Sequence, residues 1–428
     1  MTDPLKIAMN PVGGAVGDLR MRGPGLVLAR RGHRLAFIGP GCPFTEAEQR
    51  ALIADADIVT LHISAGGLRH FDDRDRVFHA MRGALVGEID DDEWAWPADP
   101  VARDPVAAEL ARARGTPESL ERLESWVRGC DLVVTTTEHL AAILRAKGAR
   151  EVAVCPNAIA PEMGRVHARS SIELARALLS PAGALTRAGK ARAAAQSVPP
   201  FARPHPQGRR IGWTGSIAHK ADLPPALDAI RRIASVDATV ETRSLGSVDF
   251  RTTPEWAGWP GAYDRMLCSF DEEAGTLEVL PESFLARREV PGIAGDNVPH
   301  GIYYRTLELM CPDVAVIPLR PSPFNLAKSD VTLLAWGIQA VPVVCSRTGP
   351  YAEAERAGFP AVYVDHEDRD AWAEALRSLL YDREAARALG DRARVWTLAH
   401  RSFPKAADAW ERAYTRAAEL ARTRRVAA

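Results

Sequence analysis

The chain has 428 residues and a formal net charge of −1, with 54 basic side chains against 55 acidic ones. Hydrophobic residues make up 46% and charged residues 25%, which suits a globular chain of two or three domains. It excludes a disordered tail, a coiled coil, a collagen or a polybasic nucleic-acid coat.

No apolar run reaches the ~18–20 residues that span a bilayer, so no transmembrane contact is expected. The opening Met1-Thr2-Asp3-Pro4-Leu5 has no leader pattern. Six scattered cysteines without a CxxC pair argue against a structural zinc site or a disulfide framework. The expected setting is cytoplasmic. Only six of the basic residues are lysines, which makes a lysine inside a motif informative.

Residues 5–9, 34–38, 58–63, 84–89, 132–135 and 152–155 read as strands. Helical spacing over 25–31, 46–54 and 138–147 separates them, and the alternation implies βαβ units on a parallel sheet. Gly32 suits the position just past a helix end. An Ala/Arg-rich helical stretch over 171–195 runs into a tail with four prolines, which reads as a linker. A second α/β half opens at Arg210, and Asp222 before Leu223-Pro224-Pro225 suits a helix N-cap. Residues 241–300 read as irregular, with short strands and loops. Residues 314–318 and 341–345 read as buried strands, with a helix from an N-cap at Ser329 to Gln339 between them. Helices around 370–379, 383–393 and 406–422 close the chain. The expected division is an α/β domain over 1–164, a linker over 165–207, a second α/β domain over 208–395 and a C-terminal helix over 396–428 packing back on the first domain.

Three turns carry phosphate chemistry. Asn10-Pro-Val-Gly13-Gly14-Ala follows the first strand, where glycines admit close backbone approach and a helix start favours an anion. It is not GxGxxG, and no acidic residue follows the second strand, which argues against a dinucleotide cofactor. A ligand-free glycine turn is the alternative. Thr214-Gly215-Ser216-Ile-Ala-His219-Lys220 combines a backbone nest with an ammonium group, a plausible diphosphate cradle without the spacing of a P-loop; its alternative is a capped helix with Lys220 solvated. Pro318-Leu-Arg-Pro-Ser-Pro-Phe324-Asn325-Leu-Ala-Lys328-Ser329-Asp330 lies between two buried strands, at the sheet edge where open α/β folds bind ligands. Two of the six lysines thus fall in these last two turns.

Glu88, Asp90, Asp91, Asp92 and Glu93 look like a metal cluster, but neighbouring carboxylates on a strand alternate faces. A solvated loop is the plainer reading, with one or two of them facing an acceptor hydroxyl. His62 reads either as a base or as a satisfied core histidine. The basic Arg422-Thr-Arg-Arg425 complements a helix dipole and leaves a peripheral membrane contact open.

Together these motifs resemble the GT-B glycosyltransferases, particularly the retaining family 4, over nearly the whole chain. The resemblance rests on Asn10-Pro-Val-Gly-Gly-Ala with Leu28-Ala-Arg-Arg-Gly-His33, on Cys130-Asp-Leu-Val-Val-Thr-Thr-Thr-Glu138 and on Val154-Cys-Pro-Asn157-Ala-Ile. In the second half it rests on Ile211-Gly-Trp-Thr-Gly-Ser with His219-Lys220-Ala-Asp222-Leu, Val316-Ile-Pro-Leu319 and Pro323-Phe-Asn with Lys328-Ser-Asp330. It implies two facing Rossmann-like domains, a nucleotide-sugar donor (UDP- or GDP-linked) held mainly by the second, and a hydroxyl acceptor on the first. No metal is implied, since cationic groups neutralise the leaving diphosphate. Carried over by position, Gly215, Ser216 and Lys220 meet the diphosphate from one side, Lys328 and Ser329 from the other, and the two lysines assist catalysis.

The pattern departs where family members carry two glutamates eight apart. Those positions are Ala327 and Ala335, and the following glycine is Ala340. Asp330 could replace the lost ribose contact, or the chain could be a non-catalytic sugar-nucleotide binder or scaffold. A glycan, a protein or a modified phage DNA base are the candidate acceptors, so nucleic acid enters only as an acceptor. The oligomeric state is not legible.

Overall fold

The computed structural model describes residues 3–11, 14–39, 42–65, 81–99, 115–160, 208–246, 248, 250–254, 261–271, 276–281, 293–295 and 300–427. The stretch over 165–207, expected as a linker, lies outside them. The chain forms two compact units. The first comprises Met1–Ala160, Ser322–Ser329 and His400–Ala428, the second Pro161–Pro321 and Asp330–Ala399.

The first unit is a six-stranded parallel sheet of β1 (Lys6–Asn10), β2 (Arg34–Phe37), β3 (Ile58–His62), β4 (Ala84–Glu88), β5 (Leu132–Thr135) and β6 (Val152–Val154), ordered β2-β1-β3-β4-β5-β6. Its helices are α1 (Gly23–Arg30), α2 (Glu46–Asp55), α3 (Pro117–Gly129) and α4 (Glu138–Ala146), with Phe403–Ala427 at the chain end. Successive strand residues point to opposite faces, and both faces are apolar here. Val59, Leu61 and Leu85 pack with Leu123, Trp126 and Leu140 of α3 and α4. Ile58, Ala84 and Val86 face the other way, onto Leu28, Trp410, Tyr414 and Ala417. Burial on both faces is why these strands read as continuous apolar runs. Gly32, at φ +102°, closes α1 in the left-handed region that suits glycine.

The second unit is an eight-stranded mixed sheet. Its strands are β7 (Arg210–Gly215), β8 (Glu241–Gly246), β9 (Ala262–Asp271), β10 (Thr276–Pro281), β11 (Ile293–Gly295), β12 (Val314–Ile317), β13 (Val343–Ser346) and β14 (Val362–Val364), ordered β10-β9-β8-β7-β12-β13-β14 with β11 on β9. Only the β9 pairings with β10 and β11 are antiparallel. Its helices are α5 (Pro224–Val236), α6 (His300–Met310), α7 (Val331–Ile338), α8 (Pro350–Arg356), α9 (Arg369–Tyr381) and α10 (Arg383–His400). Trp213, Ile230, Val316, Trp372 and Leu376 build its main core.

Three local expectations need correction. Within 241–300, which read as irregular, the ten-residue β9 and the six-residue β10 form an antiparallel ladder beside β8. Asp222 is not the N-cap of α5: Leu223 holds that position without a side-chain cap, and the Asp222 carboxylate bonds His219 and Arg320 instead. Ser329 is not the N-cap of α7, which starts at Val331 after Asp330. The Ser329 hydroxyl accepts from Asn157. Among the described residues, no helix is long and apolar enough to cross a membrane.

Candidate functional site

In the first unit β2 and β3 flank β1, and in the second β8 and β12 flank β7. The chain thus leaves the first strand of each sheet toward opposite sides. Such reversal points open a crevice at the carboxyl ends of the strands. Both groups of candidate residues gather at these ends.

In the first unit, the π-helical turn Asp18–Arg22 directs Arg20 into the interior, where its side chain is 1% exposed. Its Nε donates to Glu88 Oε1 at 2.6 Å, and its Nη1 donates to the Cys155 carbonyl at 2.5 Å and to Asn157 Oδ1 at 3.2 Å. The guanidinium also lies 4.8 Å from the ring centroid of Trp410. The second oxygen of Glu88 meets His62 Nδ1 at 2.7 Å. From the other end, Asn157 Nδ2 donates to Ser329 Oγ at 2.8 Å. One hydrogen-bonded chain therefore runs His62–Glu88–Arg20–Asn157–Ser329.

Glu88 is not on a solvated loop: it is fully buried at the end of β4. Burial opposes its charge, but Arg20 and His62 outweigh it and hold the carboxyl below the usual range. Burial likewise opposes the His62 imidazolium, yet its bond to Glu88 and the charges of Glu88, Asp90 and Glu93 raise it to about 9. Asp90 is pushed up to about 7, by burial first and then by the charges of Asp91 and Glu88. His62, Glu88 and Asp90 have donor atoms within 4.8 Å of one another. The donor types suit a divalent cation, but both Glu88 oxygens are engaged and the Arg20 charge opposes one.

The segment Ser322–Ser329 also belongs to this unit. Ser322 Oγ donates to Asp99 Oδ2 at 2.7 Å and caps the short turn Pro323–Leu326. Phe324 meets the Trp96 ring edge-on at 4.7 Å between centroids. Lys328 Nζ holds both oxygens of Asp91, at 2.9 and 2.8 Å, and sits 4.2 Å from the Phe324 centroid. Asn325 is buried in the same turn. Gly14 starts the short helix Gly14–Gly17 after β1, whereas Gly13 lies outside the described residues.

In the second unit, Thr214 and Gly215 end β7, and Thr214 Oγ1 accepts from the Tyr303 hydroxyl at 3.2 Å. A Cβ on Gly215 would come within 2.6 Å of the Trp213 ring. At the end of β8, Gly246 has φ +120°, and its Cβ position lies 2.0 Å from the Gly215 carbonyl oxygen. Only glycine fits that approach. Ser216 is exposed and leads into the 3-10 turn Ile217–Asp222, which carries His219 and Lys220. Pro318 follows β12 and Asp330 precedes α7.

Sequence reasoning missed two residues, Arg20 and Arg320. Fully buried Asp222 receives His219 Nδ1 on one oxygen at 3.0 Å. Its other oxygen receives Arg320 Nε at 3.2 Å and the Arg320 amide at 3.4 Å. Arg20 carries no such signal, since Asp18 and Arg22 stand beside it in the same turn. Arg320 could have been noticed as the first charge after a buried strand.

No protein-family model and no curated protein matches the chain. Solved structures do. HepE of Anabaena, in complex with UDP and glucose, superposes with a TM-score of 0.51 at 11% identity, covering 96% of this chain and 99% of its own. Sucrose-phosphate synthase of Thermosynechococcus elongatus gives 0.51 at 13% identity, with 99% of each chain covered. A glycosyltransferase of Rickettsia africae gives 0.51 at 11% identity, covering 97% and 99%. At such identities the likeness is one of fold: two Rossmann-like domains of the GT-B type.

Proposed function

We propose that this chain is a glycosyltransferase that moves a sugar from a nucleotide-sugar donor to a hydroxyl acceptor. The observation that carries this reading is the carboxyl edge of β7, where Thr214-Gly215-Ser216 and the turn bearing His219 and Lys220 stand at the reversal point of the second sheet. The reading is supported by structural neighbours, one of which was crystallised with UDP and glucose.

In this reading the diphosphate rests on the Gly215–Ser216 backbone, with Lys220 and Lys328 as cations. Negative charge gathers on the departing diphosphate in the transition state, so fixed cations aimed there stabilise it more than the ground state. Lys328 is held at rest by Asp91 and Phe324, and donor phosphate competes with Asp91 for it. Ser329 reaches the donor from the same segment, and Asp330 takes the ribose. Pro318, Phe324 and Asn325 are assigned to the donor in the same reading, as are Gly13 and Gly14. The acceptor hydroxyl lies by His62, Asp90 and Asp91, and the fully buried Glu88 acts only through His62. With its carboxyl near pKa 7, Asp90 suits accepting a proton at neutral pH better than His62, which holds its own proton up to about 9. The family-4 resemblance carries with it retention of configuration and independence of metal. A cytoplasmic setting is part of the same proposal.

A second reading, a sugar-nucleotide binder without turnover, draws on the two alanines. Ala327 and Ala335 are both buried, and as alanines they place no carboxylate at either position.

Thermal stabilisation by UDP, GDP, ADP and CMP compounds, with and without sugar, tests the reading. A ligand at ~100 times its Kd adds roughly 2.7 kcal/mol. A selective shift that falls in Lys220→Ala and Lys328→Ala is expected. With a donor sugar and acceptor, Lys220→Ala should also lower turnover by ~10²–10³-fold. Nucleotide binding without sugar transfer would favour the binder, and no shift with any nucleotide would overturn both readings.

A further inference from the structure

Resting on the donor-site reading above, we infer that Arg320 is a diphosphate ligand of the second unit, positioned by Asp222. The premise is the charge that the second unit itself offers, Lys328 belonging to the first. The turn that follows β7 offers one lysine and one imidazole, and its first residue past the strand, Ser216, is neutral. A nucleoside diphosphate brings about two to three negative charges, and such groups are commonly met by a guanidinium fork.

Three observations place Arg320 for this task. First, β12 pairs directly with β7 in parallel register, Val314 with Ile211 and Ala315 with Gly212. The residues just past β12 therefore stand beside those just past β7, at the reversal point of the sheet. Second, the Arg320 side chain is 16% exposed and turned onto the 3-10 turn itself, with Nε 3.2 Å from Asp222 Oδ1. Third, Asp222 is fully buried and binds both sides of the crevice: Oδ2 takes His219 Nδ1 at 3.0 Å, while Oδ1 takes the Arg320 side chain and amide. A carboxylate buried at this depth is tolerated only when it is paired. One anion thus orients the two basic groups that flank the cradle, one from each strand end.

The geometry suits chelation. Guanidinium presents five N–H donors in a rigid plane. Nε and the backbone amide, both on Asp222, set the direction of the plane, and in this proposal donor phosphate takes the η nitrogens as a pair. Asp222 is a positioning residue in this scheme, since it touches Arg320 and His219 rather than the ligand. Its own charge also keeps the ligand-free cradle from holding several uncompensated cations.

The test uses the nucleoside diphosphate that stabilises the full-length protein, compared with its parent nucleoside. Arg320→Gln keeps a donor for Asp222 and removes the charge, which avoids stranding the buried carboxylate as Arg320→Ala would. Calorimetry should show at least a tenfold loss of diphosphate affinity in Arg320→Gln, with nucleoside binding, followed by ligand-detected NMR, unchanged. Arg320→Lys, which restores charge without the fork, should recover part of the loss. Unchanged diphosphate affinity in Arg320→Gln, while Lys220→Ala weakens it, would overturn the assignment and leave the donor-site reading intact. An equal loss of nucleoside and diphosphate binding would show a structural role only and would also overturn it. If the wild-type protein binds no nucleoside diphosphate, the donor-site reading falls and this inference with it.

Discussion

At the scale of single residues, the chain carries strain and charge in definable places. Ala340 has φ +54°, the left-handed region that penalises a Cβ by roughly 1–2 kcal/mol. Glycine would remove that strain but loses more entropy on folding, by about 0.4–1 kcal/mol. Ala340→Gly should therefore stabilise the protein by about 0.5–1 kcal/mol, read as a higher urea midpoint at an unchanged m-value. The second residue-scale prediction concerns Asp90. Its carboxyl is raised in the folded chain from 3.8 to about 7, so between those values the folded state holds a proton that the unfolded state has lost. Stability from this group is present below pH 4 and declines as pH rises toward 7. His62, raised from 6.5 to about 9, acts in a higher window: its contribution is whole below pH 6.5 and lost through pH 9. Asp90→Asn abolishes the first slope. Urea unfolding at pH 4.5 and pH 7.5 should show the variant gaining on the wild type as pH rises, and a constant difference would uncouple Asp90 from His62 and Glu88.

Elements are positioned by side chains that lie far apart in sequence. The segment Ser322–Ser329 is held to its unit by Ser322 on Asp99, Phe324 on Trp96 and Lys328 on Asp91. The last pair is partly exposed, and such ion pairs contribute about 0.2–1 kcal/mol. If Lys328 also serves the donor phosphate, Asp91 is its competitor. Asp91→Asn should then tighten nucleoside diphosphate binding by about two- to fivefold, while amide exchange at Lys328 speeds up. Weaker binding would mean that Asp91 positions Lys328 rather than competing for it. The same segment explains what the sequence made legible. Strands β1, β3, β4, β12 and β13 announce themselves because burial on both faces demands largely apolar runs. Asp222 and Ser329 have the right chemistry for N-caps, but each is claimed by a distant partner, Arg320 across 98 positions and Asn157 across 172. Local pattern carries no record of such pairings. Arg20 was overlooked for the same reason, since its partner Glu88 is 68 positions away. Lys220 is visible because its turn directly follows β7, whereas Lys328 lies beyond the turn Pro323–Leu326, in a segment whose place in the first unit strand topology does not fix.

For the molecule as a whole, chain order and spatial order differ. The first unit is assembled from three pieces, and the last is the helix Phe403–Ala427. That helix is not an accessory to its sheet. Trp410, Tyr414, Ala417 and Ala421 are buried against Ile58, Val86 and Val134 of β3, β4 and β5. Trp410 also lies over Arg20, which in turn holds Glu88 and through it His62. Arg31 bonds both Asp408 and Glu411 at its rim. Truncating a single buried tryptophan typically costs about 3–5 kcal/mol, and whole domains are stable by only about 5–15 kcal/mol. A chain ending at Arg401 therefore loses more than the first unit can spare. It should leave that unit open to protease while the second unit, whose helices through α10 remain, survives as a resistant fragment. Limited proteolysis followed by mass spectrometry distinguishes the outcomes. Equal resistance of both units would mean that the sheet closes its face without the helix. Loss of both would mean that the second unit depends on the first for its own stability.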